Sequence, residues 1–126
     1  MNTKDVKNQK MHIAEIKELV LNVFENQGCD LPNANALANT ITNAERDGSS
    51  SHGLFRVPGY VASLKSGKVN GKASPNVEKQ TPVILKCDAD NGFASYSHET
   101  ALPMLVNAAK INGIAALSIT GCYHFA

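Results

Sequence analysis

Tryptophan is absent from the 126 residues, and Phe, Tyr and Trp together make up only 6%. The chain therefore has few side chains on which nucleic-acid bases could stack. It also lacks a charge of one sign. Twelve basic and eleven acidic residues leave a formal net charge of +1, and the basic ones are scattered. That pattern lacks the electrostatic footprint of a nucleic-acid binder. No Cys-x-x-Cys occurs, and Cys29, Cys87 and Cys122 form no close pair. A metal knuckle or a redox pair is unsupported, and a reduced, cytoplasmic setting is expected. No apolar signal core is visible and no run approaches membrane-spanning length, so no membrane partner is expected. Residues 1 to about 10 read as a frayed polar lead-in. What remains is ordinary: 43% apolar and 18% charged residues, in a chain long enough to bury a core.

The apolar positions divide the chain into a helical first half and a strand-bearing second half. From His12 to Gln27, Ile13, Ile16, Leu19, Val20, Val23 and Phe24 recur at helical spacing, with Gly28 just past the end. Leu31-Pro32-Asn33 reads as a break, and a second, alanine-rich helix is predicted over Ala34 to Ala44. A third helix carries Tyr60, Val61 and Leu64. It starts near Val57, because Pro58 suits only a first turn, and closes at Ser66-Gly67. Lys68 to Pro75 is a polar connector. Beyond it, Pro82 to Cys87 and Ile114 to Ile119 are β-branched, apolar and short, hence strands. Asp88-Ala89-Asp90-Asn91-Gly92 is a turn signal. Ser97 is a candidate cap for an intervening helix that ends at Lys110, before Asn112-Gly113, with Pro103 expected to bend it or delay its start.

The fold class expected is mixed α/β (α+β): a helical segment over 1–72, then the beginning of a sheet domain over 73–126. Two strands joined through a helix can pair in parallel. Two strands alone make a poor sheet with exposed edges, so further strands, and a longer protein, are expected.

Candidate chemistry concentrates in Asp47-Gly48-Ser49-Ser50-Ser51-His52-Gly53-Leu54-Phe55-Arg56. If the backbone from His52 is helical, His52 and Arg56 share a face, one able to donate a proton and the other to hold a carboxylate. The competing reading is a Ser-rich interhelix loop with a solvated arginine. His12 and His98 have no convergent partner in the local pattern and read as surface residues. His124 lies in a small-residue turn beside Cys122, which is weak support for a nucleophile. No histidine or carboxylate stands at metal-ligand spacing to His52 or His124, so no metal is expected.

The run Ala44-Glu45-Arg46-Asp47-Gly48-Ser49-Ser50-Ser51-His52-Gly53-Leu54-Phe55-Arg56-Val57-Pro58-Gly59-Tyr60-Val61 closely resembles the signature of the malate/L-lactate dehydrogenase (type 2) family of NAD(P)-dependent oxidoreductases. The similarity continues through Leu64 to Asn70 and Asp88 to Ala94, and reaches His124-Phe125. Members do not use the Rossmann fold, and no Gly-x-Gly-x-x-Gly occurs here. The Glu-Arg-Asp-Gly lead, the Arg-Val-Pro-Gly-Tyr run and the His-Phe-Ala ending most resemble the Δ1-piperideine-2-carboxylate/Δ1-pyrroline-2-carboxylate reductase branch, which reduces cyclic imino acids with NADPH.

The resemblance implies His52 as proton donor with Ser51 as its hydrogen-bonded partner. It implies Arg56 on the substrate carboxylate, and His124, Phe125 and Ala126 at the nicotinamide cofactor, NADP or NAD. It also implies a homodimer and a small carboxylate substrate. The likeness covers only the N-terminal part of the family. An orienting aspartate and most cofactor-binding residues fall beyond Ala126, so the chain alone is expected to be inactive or nearly so. Tyr123 stands where relatives often carry Ser or His. The alternatives are a malate- or lactate-type 2-hydroxy acid dehydrogenase, and a non-catalytic module that only associates with partner chains.

Overall fold

Helix α1 (Ile13–Asn26) buries Ile16, Val20 and Phe24, one residue per turn, so its apolar stripe faces inward. Residues 8–123 are described by the computed structural model. The polar lead-in falls mostly outside that range. At the start of α1 the Glu15 carboxylate accepts the His12 backbone N–H at 2.9 Å, and past its end Gly28 takes φ +96.

Helix α2 (Leu31–Arg46) starts three residues earlier than the sequence suggested. Pro32 lies in its first turn, where the missing N–H costs nothing. The cap is Asp30, whose Oδ1 accepts the Asn33 N–H at 3.1 Å and the Asn33 side-chain Nδ2 at 2.7 Å. Asn33 is 1% exposed and also donates to the Ala73 carbonyl at 2.9 Å, pinning α2 to the connector. Leu37, Ala38 and Ile41 pack with the α1 stripe in the core. Helix α3 (Val57–Lys65) begins where expected, with Pro58 in its first turn.

Among the described residues the sheet has three strands, in the order β1 (Asn76–Lys79), β2 (Ile84–Asp88), β3 (Ala116–Thr120). Strands β2 and β3 are parallel, Ile84 opposite Ala116 and Cys87 opposite Ile119, as the crossover predicted. The two-strand expectation is corrected by β1, which pairs antiparallel with β2. Asn76-Val77-Glu78-Lys79 holds a single apolar side chain and is largely exposed, so it carries almost no period-2 signal. In β2, Leu85 and Cys87 are buried while Ile84, Lys86 and Asp88 face outward.

The crossover is α4 (Ala94–Asn112). It starts at Ala94 rather than Ser97, with Phe93 in the cap position, and it continues through Pro103. Ser97 is fully buried inside the helix and does not cap it.

Between β2 and α4 the turn 88–92 ties three segments together. Asp90 and Asn91 both adopt left-handed backbone, φ +53 and +56, a conformation these two residue types tolerate. Ala89 and Asn91 donate N–H bonds to Thr120 and Gly121 carbonyls at 2.9 and 2.8 Å. The Asn91 carbonyl accepts from Asn70, its side chain donates to Lys68, and Asp90 Oδ2 accepts the Ser74 N–H. Among the described residues no helix is long and apolar enough to cross a membrane.

Candidate active site

Two consecutive 3-10 turns follow α2, Ser50–His52 and Leu54–Arg56, and α3 continues directly from the second. Gly53 separates them with φ −93 and ψ −138, so His52 and Arg56 do not lie on one continuous helical turn as the four-residue spacing alone suggested. The looser turn that Pro58 implied at His52 is present. Ser51 and His52 are exposed, and Arg56 is half-buried.

His52 lies on the wall of a groove of about 560 Å³, which is within the range of small-molecule sites. Asn39 and Asn43 of α2, His98, Glu99 and Leu102 of α4, and Tyr60, Phe93 and Tyr123 also line it. Tyr60, Phe93 and Tyr123 form its floor and, with Phe24 outside the lining, make a run of rings meeting edge to face. Phe24 and Tyr60 have centroids 6.1 Å apart, Tyr60 and Phe93 5.1 Å, and Phe93 and Tyr123 6.5 Å. Tyr123 N–H donates to the Gly92 carbonyl at 2.8 Å, which carries the end of β3 to this floor. Tyr123 thus packs its ring on Phe93.

Arg56 is not on the groove wall, but Tyr60, one turn after it, is. Burial pushes the Tyr60 phenol above its ordinary range, and the positive charge of Arg56 partly offsets that push. Arg56 Nε donates to the Ser51 carbonyl at 2.8 Å, and its remaining guanidinium nitrogens have no hydrogen bond among the described residues. Ser51 therefore meets Arg56 through its backbone. No hydrogen bond joins the Ser51 side chain to His52 among the described residues. Arg46 and Asp47 form an exposed two-bond ion pair at 2.8 and 3.1 Å, and Asp47 is held below its ordinary range by the hydrogen bond from Arg46.

His98 is exposed, as its surface reading held, and it also lines the same groove as His52. Beside it, Glu99 accepts a hydrogen bond from Asn39 at 3.2 Å across the α2–α4 contact. The only local signal was polar residues four apart on each helix, Asn39 with Asn43 and Ser95 with Glu99. That spacing cannot say which other helix they face. His124, Phe125 and Ala126 lie outside the described residues. Among the described residues no three His, Cys, Asp or Glu side chains cluster as a metal site.

Residues 11–126 match the malate/L-lactate dehydrogenase family over almost the whole chain. The chain belongs to that family. Among its relatives, the Δ1-pyrroline-2-carboxylate reductase of Ancylobacter novellus is 45% identical over 116 residues, covering 92% of this chain and 34% of that protein. The crystal structure of Δ1-piperideine-2-carboxylate reductase from Pseudomonas syringae pv. tomato superposes with a TM-score of 0.90 at 40% identity, over 94% of this chain and 36% of that one. Malate dehydrogenase from Entamoeba histolytica matches at 27% identity with a TM-score of 0.84, over 94% of this chain and 33% of that one. The chain thus spans about a third of the length of the curated relatives it matches. Its helices and small sheet correspond to the N-terminal part of the family fold.

Proposed function

We propose that this chain is the N-terminal part of an NAD(P)H-dependent reductase of small cyclic imino acids, with Δ1-pyrroline- or Δ1-piperideine-2-carboxylate as substrate. Its similarity to two reductases so named supports the substrate class. The observation that carries the chemistry is an exposed histidine, His52, on the wall of an aromatic-floored groove, one short turn ahead of a guanidinium with free donors. On this reading 1–72 holds the substrate end, and 73–126 opens the cofactor-binding sheet.

His52 donates the proton. Reduction at a C=N carbon leaves a lone pair on the nitrogen, and a positioned imidazolium can protonate it. Arg56 binds the carboxylate, since a guanidinium stays charged and offers paired N–H donors. Ser51, adjacent to His52, is the group whose hydroxyl orients the imidazole once substrate fills the groove. The edge-to-face rings of Tyr60, Phe93 and Tyr123 offer apolar surface to a flat heteroaromatic ring, and His124, Phe125 and Ala126, next in sequence after Tyr123, are the proposed cofactor contact. A bound nicotinamide supplies hydride there. The assembly proposed is a homodimer.

The test is a chimera in which residues 11–126 replace the matching part of the Ancylobacter novellus reductase. NADPH consumption is expected with the cyclic imino acids and far less with pyruvate or oxaloacetate. His52→Ala should lower kcat by roughly 10²–10⁴-fold, the usual worth of a positioned general acid. Normal turnover by that variant overturns the role of His52, and a preference for 2-oxo acids moves the assignment to the malate/lactate type.

A further inference from the structure

The turn that carries His52 is held from below by one carboxylate that the chemistry itself does not use. Glu45 is the penultimate residue of α2, and its Oε1 accepts the Leu54 backbone N–H at 2.7 Å, across nine residues. An acid in the last turn of a helix sits at the wrong end of the helix dipole, so its placement costs stability unless another donor compensates. Leu54 N–H is that donor. Gly53 leaves the required space: a methyl group there would overlap the Glu45 carboxylate. Further bonds close the same loop. Ser49 N–H donates to the Ala44 carbonyl at 2.8 Å, His52 N–H to Ser49 at 2.9 Å, and Arg56 Nε to Ser51 at 2.8 Å.

We infer that Glu45 is a positioning residue: its carboxylate, seated in the gap left by Gly53, fixes the Ser50–Arg56 double turn and so sets both His52 and Arg56 toward one substrate. The inference rests on the reading of those two residues as the reacting pair. It accounts for two features of the sequence together, an acidic residue at a helix end and a glycine directly after the histidine. A charged side chain is not required for the bond, only an acceptor at the right reach. Gln has both, whereas Ala has neither and Asp is one methylene short.

The experiment is carried out on the 126-residue chain by amide hydrogen exchange and thermal melting, and on the chimera by steady-state kinetics. Glu45→Ala should strip exchange protection from the Leu54 amide while leaving α1 and β2 protected, and Glu45→Gln should restore it. Gly53→Ala should lower the melting temperature in the native background and do so much less in the Glu45→Ala background, because the overlap is then gone. In the chimera Glu45→Ala should lower kcat/KM by roughly 10–100-fold, the scale of a small misplacement of reacting groups, with Glu45→Gln close to the parent. An unchanged Leu54 amide in Glu45→Ala, or equal Gly53→Ala penalties in both backgrounds, overturns the proposal. Failure of Glu45→Gln to restore protection and turnover also overturns it. Full turnover by His52→Ala, with the exchange and melting results intact, instead overturns the acid assignment and leaves Glu45 as the anchor of the turn.

Discussion

Arg56 shows why one residue type is needed where two carry the same charge. Its Nε is already committed to the Ser51 carbonyl, and the rest of the guanidinium stays available to a carboxylate. A lysine ammonium at the end of a flexible stem cannot hold both partners in fixed directions. Arg56→Lys in the chimera should raise KM for the imino acid about 10–100-fold, since a charge-assisted hydrogen bond is worth about 1.5–3 kcal/mol; an unchanged KM refutes the clamp. His52, Arg56 and Glu45 were all legible as members of one motif. The seat of Glu45 under Leu54 was not, because a bond spanning nine residues depends on how the loop folds back. Cys29 offers a second measurement. Burial, with Asp30 adding to it, pushes its thiol up to about 11, so the folded form holds this proton more tightly than the unfolded one. The associated stability is complete below the ordinary thiol pKa and is lost as pH rises from about 9 toward 11. Melting temperature should fall over that window, and Cys29→Ala should flatten part of the fall.

Helix ends and short strands are where sequence and structure part. The α1 stripe and the Pro58 start of α3 were readable because a periodic apolar face and a first-turn proline each have a single geometric meaning. The start of α2 was misread because Pro32 fits both a break and a first turn, and only the Asp30 bonds to Asn33 choose between them. Asp30→Ala should therefore destabilise the chain by about 1–2 kcal/mol in urea unfolding, the cost of a lost cap; no change would mean that Asn33 alone fixes the helix. For α4, Ser97 looked like a cap, but its full burial shows that packing against the sheet overrode local preference. Strand β1 was invisible because four mostly polar residues at a sheet edge carry no pattern. The groove between α2 and α4 escaped for a related reason: each wall shows in its own helix, but the pairing of the two helices is non-local.

Taken whole, the molecule leaves considerable apolar surface outside its core. Ile111 and Ile114, at the end of α4 and beyond it, are 71% and 74% exposed, and Phe55, next to Arg56, is 76% exposed. Among the described residues, strand β3 has a neighbour on one side only. Large exposed side chains beside an unpaired edge favour association. Sedimentation velocity on the chain should show self-association that grows with concentration, and a monomer throughout the micromolar range would count against the proposed homodimer. The parallel crossover was foreseen from the strand spacing, while the third strand was not.

The turn 88–92 imposes an order on assembly. Its left-handed pair at Asp90 and Asn91 is secured by carbonyls of Thr120 and Gly121, about thirty positions downstream, and by Asn70, about twenty upstream. During synthesis the α1–α2 hairpin can form from contacts near in the chain, but this junction must wait until β3 has left the ribosome. A nascent chain stalled before residue 116 would hold the residues of all four helices beside an unsealed corner, and a chaperone or protease would find its foothold there.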